Sequence, residues 1–238
     1  MQGISWVLGL LVGTGAAAVL SLVVELFAGG GAPPLCPHCH AAPGLLARVP
    51  LLRHSRAGAC RSCHRVTAAQ DLWLELLAML GTALVFALGP GTALAVDLLV
   101  LWLGLAAAAI DLRRRVIPNR LLLAAFLFGL PALLPLGPSA YVTGLAGAAL
   151  LLAVGFVVAW VGRGGFGLGD VKYLGVVGFL LGWQRGLTAL FLEVLAGGLY
   201  AAWLLLTRRA TGRDAFAFGP FIALGSVAVV VLGAGLAR

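Results

Sequence analysis

Charge is what this chain has least of. Only 10% of its 238 residues are charged, eight are acidic, and Lys172 is the single lysine among 16 basic residues. A soluble domain carries about 25% charged and about 45 to 50% apolar residues, whereas here 62% are apolar and the mean hydropathy is +1.08. Such a chain cannot cover itself with a hydrated surface, which excludes a soluble domain and intrinsic disorder. Cysteine is scarce as well. All four fall within one segment, which argues against a secreted disulfide scaffold. In a soluble protein a net charge of +8 would suggest nucleic acid, but in an apolar chain it orients loops across a bilayer. No nucleic-acid partner is expected, and lipid is.

What is present is a series of apolar runs, at 4–27, 72–88, 92–110, 120–136, 140–161, 173–183, 187–206 and 216–236. At about 20 residues per crossing they predict an all-α polytopic membrane protein of about eight transmembrane helices. The sixth run is short, which predicts a tilted, locally non-helical or re-entrant segment tolerated only against protein or a water-filled cavity. Threading the runs alternately puts 14 basic residues, from Arg48 to Arg213, on one side and leaves Arg185 and Arg238 on the other. That partition marks the first side as cytoplasmic. The expected organisation is a first transmembrane helix (1–27), a small cytoplasmic zinc-binding loop domain (28–71) and a transmembrane core (72–238).

The loop carries Cys36-Pro-His-Cys39 and Cys60-Arg-Ser-Cys63. Two thiolates at i and i+3 on a tight turn share one tetrahedral metal, and the intervening segment folds back to supply the second pair. Four sulfur ligands fill the coordination sphere, so the ion expected is a structural Zn2+ and not a catalytic one. A redox pair or disulfides compete with this reading, but a cytoplasmic face is reducing. His38, His40, His54 and His64 lie beside the cysteines as possible substitutes, with solvated loop positions their simpler reading.

A carboxylate inside an apolar helix costs roughly 2.5 to 3.5 kcal/mol on insertion scales and is usually functional or paired, so each acidic residue can be weighed. Asp111 closes the apolar run LGLAAAAI and opens DLRRRVIPNR, and Asp170 lies in GGFGLGDVK, where Gly167 and Gly169 free the backbone to bend. Both fall at the inner interface. If they meet across helices, like-charge repulsion leaves them sharing one proton, the arrangement an aspartic protease requires. The competing reading pairs Asp111 with Arg113, Arg114 or Arg115, and Asp170 with Lys172 or Arg163. Spacing does not decide between the two, since the aspartates are 59 positions apart.

Taken together in this order, the two cysteine knuckles, Asp111 with Ile117-Pro118-Asn119, Gly167-Leu-Gly-Asp-Val-Lys172 and Phe218-Gly-Pro-Phe221 resemble the bacterial prepilin peptidases, the type IV leader peptidases of the GxGD class of membrane aspartic proteases. The resemblance implies cleavage of the basic leader from type IV prepilins or type II secretion pseudopilins, in the bacterial inner membrane and on its cytoplasmic side. It implies Asp111 and Asp170 as the catalytic pair, Cys36, Cys39, Cys60 and Cys63 as zinc ligands, and a conformational role for Gly167 and Gly169. It also implies methylation of the new N-terminus from S-adenosylmethionine. The first span, GTGAAAVLSLVVELFAGG, departs from that family's Gly-Ser-Phe-Leu-Asn opening and following Arg-Leu-Pro. A peptidase without methyltransferase activity is therefore the alternative.

Glu75 occupies a place similar to an acidic residue of the family, although pairing with Arg65 or a helix-start role is the simpler expectation. Glu25, Asp97 and Glu193 are left to other helices, water or Arg185. The small residues 146–149, Gly197 and Gly198 suit close helix packing. A rival of another class is a non-enzymatic scaffold or transporter subunit, against which stand the absence of an internal repeat and aspartates at one membrane edge.

Overall fold

The computed structural model describes residues 2–28, 36, 39–41, 59–64, 72–88, 91–161, 166–209 and 216–236. Among these the chain is all-helical: α1 (Gln2–Ala28), α2 (Leu72–Leu88), α3 (Leu94–Arg114), α4 (Asn119–Leu133), α5 (Pro138–Val161), α6 (Leu168–Leu206) and α7 (Gly219–Leu236), with a 3-10 turn at Leu134–Leu136. Five are long and apolar enough to cross a bilayer, and α2 and α7 are shorter apolar helices. Large apolar side chains such as Trp160, Leu206 and Phe128 stand exposed, as lipid-facing residues do in a multi-pass membrane protein. His38, His54, Arg65 and Arg163 lie outside the described residues.

The sixth and seventh predicted spans form a single helix by backbone assignment, interrupted at Gly182 (φ 74°, ψ 169°). A straight helix of 39 residues would run about 58 Å, nearly twice the hydrocarbon thickness of about 30 Å. It does not run straight. A Cβ built on Gly186 would lie 3.5 Å from the Gly178 Cα, eight residues earlier, so the chain doubles back at Gly182 into two arms, 168–181 and 183–206. The left-handed φ explains the glycine. With both arms counted there are eight helical segments among the described residues, and the short sixth run is the first arm.

The chain divides into two compact units, Met1–Ala87 and Leu88–Arg238. In the first, α1 packs closely on α2, where a Cβ at Gly13 would fall 2.8 Å from the Met79 Cα. Glu75 is buried in this contact and lies 3.4 Å from the Ser21 hydroxyl of α1. It is thus a buried polar contact of α1 as well as the acidic residue of the first turn of α2, because α1 covers the face that carries it.

In the second unit α5 packs along the first arm of α6, with Gly147 against Gly178 at the crossing and Gly155 against Leu174 and Val171. The backbone approach at 147 agrees with the packing role expected for residues 146–149. Helix α7 runs antiparallel to α3, since Gly104 meets Ala223 and Asp111 meets Gly219. At the end remote from Asp111, Arg185 pairs with Asp97 at 3.5 Å and lies beside Gly233. Arg115, Lys172 and both inner-edge aspartates gather at the opposite end, so the charge partition of this unit follows its two ends.

Candidate active site

Asp111 sits in the last turn of α3, and Arg115 stops that helix by taking a left-handed conformation (φ 54°, ψ 37°) while its N–H donates to the Asp111 carbonyl at 2.7 Å. Pro118 then holds an extended backbone and opens α4. The Asp111 side chain is only 4% exposed, although it is a carboxylate. Its Oδ2 accepts the Gly219 N–H, the first residue of α7, at 2.9 Å. A Cβ on Gly219 would lie 2.8 Å from that same oxygen, so the contact requires glycine.

Gly167 is the extended cap residue of α6, and Asp170, three residues on, accepts the Gly167 N–H at 3.3 Å through Oδ2. A carboxylate in this position suits both the free N–H groups and the positive end of the helix. A side chain on Gly167 would stand 3.1 Å from Asp170 Oδ2, and one on Gly169 would meet Ile117 at 3.5 Å. Gly169 thus lies against Ile117 of the α3–α4 turn, while Gly167 faces the carboxylate of Asp170.

Asp111 and Asp170 line one cavity of about 300 Å³, walled also by Arg115, Val116, Ile117, Asn119, Gly167, Gly169 and Lys172. Among the described residues neither carboxylate forms an ion pair. Lys172 donates instead to Asn119 Oδ1 at 3.1 Å, which ties the α6 entry to the start of α4. The reading in which Lys172 neutralises Asp170 thus gives way to one in which it bridges two turns. A carboxylate pair of this kind can take a proton from water with one member and donate a hydrogen bond with the other.

Gly219 was legible in the sequence only as part of Phe218-Gly-Pro-Phe221, one of the stretches that carry the family resemblance. In the structure Phe218 meets Phe166, Phe216 and Phe221 at ring distances of 5.3 to 6.2 Å, a cluster that adjoins Gly219 in the chain. Phe218 also presses on Gly197 of the second α6 arm, where no side chain would fit. The contact joins the second arm of α6 to the entry of α7, whose first N–H meets Asp111.

The four cysteines form a second cluster, with every Sγ within 4.8 Å of the others. Cys36 faces Cys63 and Cys39 faces Cys60, each at 3.6 Å. Zinc at about 2.3 Å from each sulfur spaces its ligands about 3.8 Å apart in a tetrahedron, so the thiols fit such an ion. Both knuckles have the same turn. His40 and His64 donate their N–H to Cys36 and Cys60 carbonyls at 2.8 Å, with φ 56° and 54°. The backbone N–H groups of Cys63 and Ser62 pull the Cys60 thiol down to about 6. Although Ala41 favours its thiolate, desolvation and the neighbouring thiols push Cys39 up to about 12. Four thiols so close compete for protons, and a metal ion relieves that competition.

Residues 98–202 match the model of the type IV leader peptidase family. A prepilin leader peptidase/N-methyltransferase of Aeromonas hydrophila is 31% identical over 214 residues, covering 85% of this chain and 72% of the relative. The chain belongs to the type IV leader peptidase family. A relative of the same printed name from Bacillus subtilis (strain 168) is 32% identical over 83% of this chain and 81% of its own length. A third, from Pectobacterium carotovorum subsp. carotovorum, is 30% identical over 82% and 72%. No solved structure matches the chain. The family match takes in both aspartates and the α6 bend.

Proposed function

We propose that this chain is a membrane aspartic endopeptidase that removes the leader peptide from type IV prepilins or type II secretion pseudopilins, with Asp111 and Asp170 as its catalytic pair. The observation that carries the reading is the shared cavity: two carboxylates 59 positions apart line one polar recess at one end of an otherwise apolar bundle. The names of the relatives supply the substrate class.

The pair would share one proton, because two carboxylates that approach closely within one cavity resist joint ionisation. The ionised member removes a proton from a water, whose oxygen bonds to the scissile carbonyl carbon. The protonated member donates a hydrogen bond to the carbonyl oxygen as charge builds there. Collapse breaks the C–N bond, and the leaving nitrogen takes a proton from the pair. The Gly219 N–H keeps Asp111 Oδ2 oriented throughout. Titration belongs to the pair and not to either residue.

Cys36, Cys39, Cys60 and Cys63 would hold a structural Zn2+ that orders segment 28–71, a length of chain too short to build its own core. That segment would stand as an accessory domain between the first transmembrane helix (1–27) and the peptidase core (72–238). Gly167 and Gly169 act through conformation. The cavity would open at the cytoplasmic face of the bacterial inner membrane, a reading that the basic residues beside the aspartates support. Methylation of the new N-terminus, the second activity in the relatives' printed name, would use S-adenosylmethionine as donor. The altered first span favours a peptidase alone as the second reading.

The test is cleavage of a type IV prepilin by the purified full chain in detergent. The wild type is expected to release the leader, while Asp111→Asn and Asp170→Asn, folded, do not. Intact product mass, with or without one added methyl group, decides methylation in the same experiment. Undiminished cleavage by either variant would overturn the pair.

A further inference from the structure

One group of polar side chains in the second unit is used by none of this chemistry. Glu193, on the second arm of α6, is 0% exposed, and among the described residues neither carboxylate oxygen has a hydrogen-bond partner. Tyr173, on the first arm and one turn after Asp170, is also 0% exposed, and among the described residues its hydroxyl closes no hydrogen bond of good geometry, with Ser226 its nearest polar neighbour. Ser226 of α7, fully buried beside Tyr173, donates to the Ile222 carbonyl at 2.7 Å and has its lone pairs free to accept. Gly225, its neighbour, makes room for the acid: a Cβ there would overlap Glu193 Cγ and lie 2.6 Å from the Ala189 carbonyl.

Three helical segments thus turn a hydroxyl, a carboxyl and a second hydroxyl toward one place in the bundle interior. Bulk water does not reach it, lipid offers no hydrogen bonds, and buried polar groups in native proteins are nearly always satisfied. A buried water makes two to four hydrogen bonds to such groups, and these residues supply that number of sites. We propose that Tyr173, Glu193 and Ser226 form an internal water-binding site behind Asp170, which holds the two arms of α6 and α7 in register. The arm carrying Asp170 and the helix whose first N–H orients Asp111 both border this site. Glu193 is therefore a positioning residue, acting through the segments that bear the pair. This last step rests on the catalytic role proposed above, whereas the water site itself does not.

Radiolytic hydroxyl-radical labelling of the full chain in detergent, read by mass spectrometry, reports water held beside a buried side chain. Phe179, 1% exposed and among the largest buried side chains, is the dry control. Tyr173 is expected to be labelled severalfold faster than Phe179, to fall to the Phe179 rate in Glu193→Leu, and to stay labelled in Glu193→Gln. Labelling of wild-type Tyr173 no faster than Phe179 overturns the site without any variant having to fold. Labelling of Tyr173 unchanged in folded Glu193→Leu removes Glu193 from it. In prepilin cleavage, Glu193→Leu is expected to lower kcat about tenfold at unchanged KM, with Glu193→Gln restoring it. Full kcat in Glu193→Leu would overturn the positioning role. Failure of the catalytic reading would show separately, as cleavage surviving Asp111→Asn.

Discussion

The cysteine cluster and the aspartate cavity are assembled in opposite ways. Each cysteine knuckle is a local object, in which a turn of a few residues, closed by one N–H to carbonyl bond and a left-handed histidine, sets two sulfurs side by side. Only the meeting of two such turns is long-range. The aspartate cavity has no local half. Asp111 depends on α7 for its partner and on α4 for its wall, and Asp170 depends on the close approach of the α6 entry to Ile117. A site made of local turns survives changes in the rest of the chain, whereas one made by helix packing is exposed to any change that shifts a helix.

The sharpest test of that contrast is the pair itself. Asp111→Asn and Asp170→Asn are each expected to lower the cleavage rate by about 10²- to 10⁴-fold, the range of general acid–base catalysis, and the double variant is expected to be no worse, since the pair acts as a unit. Additive losses in measured kcat would show two independent roles instead. Next in size is loss of metal from the local site. Replacing Cys36 or Cys63 by Ser should abolish stoichiometric zinc, read by elemental analysis, and speed amide exchange at 60–64. Helices α3 to α7 should keep their protection, because they belong to the other compact unit.

A subtler break comes from one methyl group. Gly219→Ala places a Cβ 2.8 Å from Asp111 Oδ2, and losing that hydrogen bond to a charged group, about 1.5 to 3 kcal/mol, should lower kcat roughly 10- to 100-fold. Gly198→Ala, where no atom lies within 4 Å, should leave kcat unchanged and is the matched control. The smallest effect is expected from Lys172→Met, which removes the exposed bridge to Asn119. An exposed polar contact contributes about 1 kcal/mol or less, so a change of about fivefold or less in kcat/KM is expected. A loss as large as that of the aspartate variants would make Lys172 part of the chemistry.

Much of this was legible in the amino-acid sequence, and for physical reasons. Apolar runs of bilayer length announce helices because the backbone must satisfy its own hydrogen bonds in lipid, and α1 to α5 follow them within a few residues. The CxxC spacing announces a metal knuckle because i and i+3 on a tight turn bring two sulfurs together. The doubling back at Gly182 was visible as the break around Arg185 between the runs 173–183 and 187–206. That Gly182 itself makes the turn was not visible, because its positive φ is a property of the folded backbone. Nearness in sequence offered Lys172 as one partner for Asp170, whereas the fold gives it Asn119. Glu193 read as one acid among several, and its isolation emerges only where α7 and both arms of α6 close around it.

By itself, then, the sequence determined the helical membrane class, the knuckles, the charge partition and the two aspartates as candidates, all consequences of composition or of contacts within a few residues. Tertiary structure alone decided that Asp111 and Asp170 share a cavity, that Gly219 serves Asp111, and that Glu193 and Tyr173 are fully buried. Those facts depend on how helices far apart in the chain pack, and packing is set by the fit of whole surfaces, which no short stretch of residues encodes.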